Sequence, residues 1–191
     1  MTNIWFTADF HFSHHNILQH CHPPFDTVEQ MNAAVLDRLN AVVKERDLLY
    51  FLGDFCLGSV DSVQFYLRQI RCKNIHVVFG NHDRVLRKLS DRFIWAKDLA
   101  EISVSSQKIV LCHYALRVWN RSHHGSWHLY GHSHGNLPEI PTVPAMDVGV
   151  DTHDFRPWHY EEIVERFQSR LSAQRTLEPF TSETTGPYNQ T

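Results

Sequence analysis

Short apolar runs divide this chain, and most of them give way to Gly, Asp, His or Asn at their carboxyl ends. The runs cover 4–9, 48–54, 75–81, 108–114, 127–132 and 145–150. Aromatic and β-branched residues dominate them, as in strands buried between layers. A further run, 101–106, is expected to pair with 108–114 as a hairpin turning at Ser106, Gln107 and Lys108. Amphipathic stripes separate several runs. Val28, Met31, Val35, Leu39 and Val42 fall at steps of three and four, behind Thr27 and Gln30 in capping-box spacing. Val60, Val63, Leu67 and Ile70 form a second stripe with Ser59 or Asp61 as cap. Val85, Leu86 and Leu89 suggest a short helix; Ile163, Val164, Phe167 and Leu171 suggest a last one. Strands alternating with helices predict an α/β fold with right-handed crossovers.

A length of 191 residues fits one domain, expected over 1–171, with a polar, loose tail over 172–191. No apolar run is long enough for a membrane helix. The first residues lack the basic and apolar regions of a signal peptide, so a cytoplasmic location is expected. Cys21, Cys56, Cys72 and Cys112 show no CxxC spacing and are expected to be reduced. The net charge of -3 argues against an extended nucleic-acid surface. The unusual component is histidine, with 15 copies gathered beside the apolar runs.

Set against the predicted strands, the polar residues fall into register. Asp9 and His11 follow the first, Gly53 and Asp54 close the second, and Gly80 to Asp83 close the third. His113 stands near the end of the fourth, and Gly131, His132 and His134 end the fifth. Ligands of open α/β sheets bind outside the carboxyl ends of strands. Residues two apart on an extended segment point the same way, so Asp9/His11 and His132/His134 are read as two stiff pincers. With Asp54, Asn81 and His113 they form a set of oxygen and nitrogen donors without thiolate. That set favours hydrolytic divalent ions over structural zinc. Seven donors exceed one tetrahedral ion and suit two ions sharing a carboxylate. Gly53, Gly80 and Gly131 each precede a donor, where a side chain would crowd the turn.

In order, Asp9-x-His11, Gly53-Asp54, Gly80-Asn81-His82-Asp83, His113 and Gly131-His132-x-His134 resemble the calcineurin-like metallophosphoesterase superfamily. The resemblance runs from about residue 3 to 163 and is closest to a small bacterial or phage branch. It implies a two-sheet β-sandwich flanked by helices, in α/β/β/α layers. It implies one metal on Asp9, His11 and His134, another on Asn81, His113 and His132, and Asp54 bridging. His82 corresponds to the catalytic histidine, with Asp83 orienting its ring. Many members continue the second motif as GDxxDR, whose Arg binds phosphate. Here Asp54 is followed by Phe55-Cys56-Leu57, so Arg117 or Arg121 is the expected substitute.

The expected function is thus a dinuclear metal-dependent hydrolase of phosphate esters, using manganese, iron, zinc or nickel ions. A small phosphodiester, such as a nucleotide, is the favoured substrate. A phosphomonoesterase, a nuclease acting on nucleic-acid ends and a non-catalytic metal-binding scaffold are the alternatives. The remaining histidines receive plainer readings. His14, His15, His20 and His22 line a loop. His123 and His124 belong to a loop that could hold substrate, with His124 the candidate contact. His76, His128, His153 and His159 pack or face solvent. Cys112 points into the core, and Asp147 and Asp151 are expected as helix or turn caps.

Overall fold

The computed structural model describes residues 2–21 and 23–177. In chain order the elements are β1 (Ile4–Thr7), α1 (Ile17–Cys21), α2 (Val28–Val42), β2 (Leu48–Phe51), α3 (Val60–Gln69) and β3 (Asn74–Val78). A 3-10 helix, Leu86–Arg92, precedes β4 (Trp95–Lys97), β5 (Leu99–Val104) and β6 (Gln107–Cys112). A 3-10 turn at Ser122–His124 leads to β7 (Trp127–Tyr130), β8 (Ala145–Asp147), β9 (Trp158–His159) and α4 (Tyr160–Leu177). Among the described residues no helix is long and apolar enough to cross a membrane.

The strands form two sheets, in the orders β4-β3-β2-β1-β9 and β5-β6-β7-β8. β1 to β4 pair in parallel and β9 closes the edge antiparallel. In the second sheet β6, β7 and β8 are parallel, and β5 meets β6 as a hairpin. Alternation along the first sheet explains the layering. Trp5, Leu49, Phe51 and Val77 pack with Met31, Val35, Leu39 and Val63 of α2 and α3. Their neighbours Phe6, Tyr50 and Val78 pack instead with Ile109, Leu111, Leu129 and Met146 of the second sheet. Ile163 and Phe167 of α4 join that second cluster. The result is the two-sheet sandwich flanked by helices that the resemblance implies, with α2 and α3 outside the first sheet and α4 packed into the cluster between the sheets. Leu39 is wholly buried, and cutting such a side chain to Ala costs about 2–5 kcal/mol.

Both long predicted stripes form helices over the expected residues. Gln30 N donates to the Thr27 hydroxyl at 3.2 Å, but Gln30 Oε1 accepts from Asp26 N, one residue before the cap. Ser59, not Asp61, caps α3 by accepting from Ser62 N. The hairpin turns at Ser105 and Ser106, both at positive φ (46° and 72°), so Gln107 and Lys108 already belong to β6. Strands β1, β2, β3, β6 and β7 each stop short of their predicted ends, which leaves the metal-ligand candidates on loops. Helix α4 continues past residue 171 to Leu177, into the segment expected to be loose. His22 and the rest of that tail, 178–191, lie outside the described residues. The four cysteines are all unpaired.

Candidate metal centre

The loop after β1 runs beside the loop after β2 and extends the ladder between those strands. Asp9 N donates to Gly53 O at 2.9 Å, His11 N to Asp54 O at 2.9 Å and Phe12 N to Phe55 O at 3.0 Å. The loop after β7 joins from the second sheet: His132 N donates to both Asp9 carboxylate oxygens, at 3.1 and 2.9 Å. Gly131 N donates to His113 O at 3.0 Å. These backbone bonds draw the carboxyl ends of both sheets to one place.

Two ligand groups result. The donor atoms of Asp9, His11 and His134 lie within 4.8 Å of one another, and so do those of Asp54, His113 and His132. Asp54 Oδ2 lies between the groups, 3.3 Å from His113 Nε2 and 3.7 Å from His11 Nε2. Asn81 Oδ1 stands 3.1 Å from His113 Nε2 and completes the second group. All seven residues read from the sequence are therefore brought together. Asp9, His11, Asp54 and His113 are buried, whereas Asn81 and His132 are exposed.

Their backbone is not what the pincer argument assumed. Asp9, His11, Asp54, His132 and His134 have φ of 60°, 48°, 61°, 68° and 48°. This is the left-handed region, which costs an L-residue roughly 1–2 kcal/mol. The side chains are presented from successive tight turns, not from a stiff extended strand. Such conformations persist only where surrounding structure fixes them, as the cross-loop hydrogen bonds do here. Gly80 shows how closely the loops approach. A Cβ there would stand 2.2 Å from Asp54 Oδ1 and 2.6 Å from Asp54 N, so no side chain fits.

The residues fit a metal pair. His11 Nε2 is buried with no hydrogen-bond partner, a costly state unless a cation accepts its lone pair. His113 Nδ1 lies 2.8 Å from Leu52 O, and a carbonyl can only accept, so Nδ1 carries the proton. In the neutral ring Nε2 then offers a lone pair beside Asn81 Oδ1 and Asp54 Oδ2. His134 Nδ1 lies 2.5 Å from Asp151 Oδ2, which leaves Nε2 for the first group. Binding the far ring nitrogen in this way fixes tautomer and orientation in metal sites. Asp151 therefore orients a ligand candidate, where the sequence had favoured a cap. Asp147 accepts from Gly135 N and Gly149 N and ties the loops after β7 and β8.

Protonation follows from the same contacts. Burial drives His11 down to about 3 and raises Asp9 well above the usual carboxylate range. Burial also pushes Asp54 up, but the hydrogen bond and charge of His113 outweigh it and hold Asp54 at about 2. His113 is raised against its own burial by Asp54. His134 is raised to about 11 against burial, chiefly by the Asp151 hydrogen bond. Ligands bind a metal in deprotonated form, so a divalent cation would displace the proton that Asp151 favours on His134.

The other candidates divide. His82 is half-buried, its ring centroid 5.5 Å from those of His11 and His14, and its backbone N donates to Asp54 Oδ1 at 2.9 Å. Asp83 does not orient that ring. Its fully buried carboxylate accepts from Asp54 N, Phe55 N and Gly80 N at 2.9, 2.9 and 2.7 Å, so it builds the loop under Asp54. Arg117 is exposed on the loop after His113. Arg121 lines a groove with Glu101, Lys108 and Asn120, toward the start of β6. His124 precedes Gly125, whose carbonyl accepts from Gln107 at that same end. Because β6 and β7 are parallel, the chain must return to the opposite end of the sheet between them. That return carries Arg121 and His124 away from the ligand groups. His14 was read as a plain loop residue, yet its Nδ1 lies 3.3 Å from His11 Nδ1; spacing alone carried no signal for that contact. His128 is fully buried and holds Leu116 N and Val110 O, as a packing residue would.

A two-sheet sandwich with Asp, His and Asn donors gathered at its strand ends defines the metallophosphoesterase class. The chain matches the calcineurin-like phosphoesterase superfamily domain over residues 3–140 and belongs to that superfamily. The uncharacterized protein MJ1445 of Methanocaldococcus jannaschii is 31% identical over 171 residues, covering 86% of this chain and 90% of that one. The Gene 66 protein of Mycobacterium phage L5 is 32% identical over 85 residues, 44% of this chain and 41% of its own. The crystal structure of AQ665 from Aquifex aeolicus, a protein of unknown function, gives a TM-score of 0.71 at 25% identity. That match spans 87% of this chain and 100% of that one.

Proposed function

We propose that the chain is a phosphodiesterase that works with two divalent cations. The observation that carries this reading is the position of Asp54 Oδ2, within 4 Å of an imidazole nitrogen from each ligand group. Asp9, His11 and His134 would hold one ion and Asn81, His113 and His132 the other, with Asp54 shared. Manganese, iron, zinc and nickel all suit these donors. Such a pair supplies hydroxide near neutral pH and screens the charge on phosphate oxygens.

The chain's own groups do the rest. Asp9 and Asp54 are the only carboxylates in the donor set. Against two divalent ions and one hydroxide they leave a single positive charge, matched to a phosphodiester monoanion. His82, half-buried beside His11 and fixed through its backbone to Asp54, is our candidate donor to the leaving alkoxide. Arg117, exposed on the loop after His113, is our candidate for meeting a non-reacting phosphate oxygen. The test is turnover of bis-p-nitrophenyl phosphate and p-nitrophenyl phosphate by chelator-stripped protein, with each metal added back. Metal-restored turnover favouring the diester is expected. Faster monoester turnover would make the chain a phosphomonoesterase, and none with any metal would make it a binding scaffold.

A further inference from the structure

The net charge of the chain conceals an uneven distribution. Residues 64–97 hold eight of the 18 Lys and Arg but two of the 21 Asp and Glu. One of those acids, Asp83, is fully buried against backbone N–H groups, which leaves Asp91 as the exposed one. Arg68 in α3, Lys73 before β3 and Arg92 at the end of the 3-10 helix converge on one groove of about 220 Å³, with no carboxylate in its lining. All three are exposed, and among the described residues none is in an ion pair.

The groove opens at the start of β3, and the ligand groups lie beyond its end. Ile94 N donates to Ile75 O at 2.9 Å. The 3-10 helix therefore runs back from the Asn81–His82 loop to the groove. Arg84, in the turn before this helix, and Lys88, within it, add two exposed cations to that stretch. Arg87 is taken up by Asp98 and lies over Phe79. Five strand residues separate the two ends, about 16 Å at roughly 3.3 Å each. A stacked strand rises about 3.4 Å per nucleotide, so the stretch spans about four or five nucleotides.

We propose that this groove, with Arg84 and Lys88 between it and the ligand groups, binds a nucleic-acid strand whose backbone reaches the metal centre. The inference deepens the phosphodiesterase reading and rests on it for the chemistry. Guanidinium forks match phosphate geometry, and exposed cations bind polyanions by releasing counterions. An average over the whole chain hides this, because the acids that offset it lie outside residues 64–97.

The experiment is fluorescence anisotropy of a labelled single strand of about 20 nucleotides with metal-stripped, full-length protein, across about 50 to 200 mM salt. Four or five phosphate contacts predict a logarithmic salt slope of about -3, or roughly sixtyfold weaker binding over that range. The triple variant Arg68→Gln, Lys73→Gln, Arg92→Gln should lose about two units of that slope and bind at least about tenfold more weakly at low salt. Lys108→Gln with Arg121→Gln, on the other sheet, should bind as wild type does. Far-ultraviolet circular dichroism and the urea midpoint of the triple variant should match wild type and certify its fold. If the triple variant fails to fold, Arg68→Gln alone should lose about 0.7 units of slope. A flat salt dependence, unchanged binding in the variants, or preference for anionic phospholipid vesicles over the strand would overturn the proposal. Loss of diester turnover in the wild type would instead overturn the phosphodiesterase reading and leave the binding result standing.

Discussion

Replacing Asp83 by Asn separates two roles that the same residue could play. If Asp83 oriented the ring of His82, the change would slow turnover and leave stability and metal content alone. The structure places it under Asp54 instead, accepting from three buried N–H groups. Oδ2 serves Asp54 N and Gly80 N, so the retained amide oxygen of Asn is expected there, with its NH₂ facing Phe55 N–H. One buried donor then loses its acceptor, at about 1–3 kcal/mol. The other two bonds lose a charged acceptor, at some tenths of a kcal/mol to about 1 kcal/mol each. An opposing effect reduces the sum. Burial raises the Asp83 pKa even against those three bonds, so ionised Asp83 bears a desolvation cost that Asn escapes. The net expectation is about 2 kcal/mol, or roughly 4–8 °C in melting temperature for a chain of this size. Since Asp54 rides on the same loop, metal affinity should fall by about tenfold or more. Urea unfolding and elemental analysis of Asp83→Asn read both quantities. Wild-type stability and metal content, with slowed turnover alone, would refute the reasoning.

His82→Ala should keep its full metal content and lose about a hundredfold or more in turnover of the diester, read by elemental analysis beside kcat. Asp151→Asn should free the His134 ring and weaken metal binding by about 10–100-fold, measured by competition with a chelator. Asp47 gives an acid-stability prediction. Burial raises its pKa, but N–H bonds from Lys44, Asn3 and Trp5 outweigh this and hold it below the usual carboxylate value. A group depressed in the folded state stabilises above its unfolded pKa of about 3.9 and loses that contribution as pH falls through the folded pKa. Asp47→Asn should therefore flatten the acid limb of stability below about pH 4, followed by denaturant midpoints against pH.

The elements legible in the sequence were those set by short-range pattern. The Val28 and Val60 stripes and their Thr27 and Ser59 caps use local spacing, and the helices formed where that spacing placed them. The seven ligand candidates were legible because donors rarely follow five successive apolar runs, and the sheets carried them to one edge. What escaped depends on contacts across the chain. β4 and β9 are three and two residues long, too short for an alternation to register. Asp83 and Asp151 act on partners in other loops, which spacing does not encode. Arg121 and His124 looked close to the site because they precede β7, but the parallel pairing of β6 and β7 carries them to its far end. The left-handed backbone at Asp9, His11, Asp54, His132 and His134 follows from the cross-loop hydrogen bonds and leaves no mark in residue type.

The central claim is that Asp54 joins two cations. Electron paramagnetic resonance of manganese-loaded protein, with metal stoichiometry by elemental analysis, tests it most directly. Ions about 3.5–4 Å apart should give two equivalents per chain and a spin-coupled spectrum. Asp54→Asn should lower the occupancy and remove the coupling. One equivalent per chain in the wild type, or two ions with uncoupled spectra, would contradict the account.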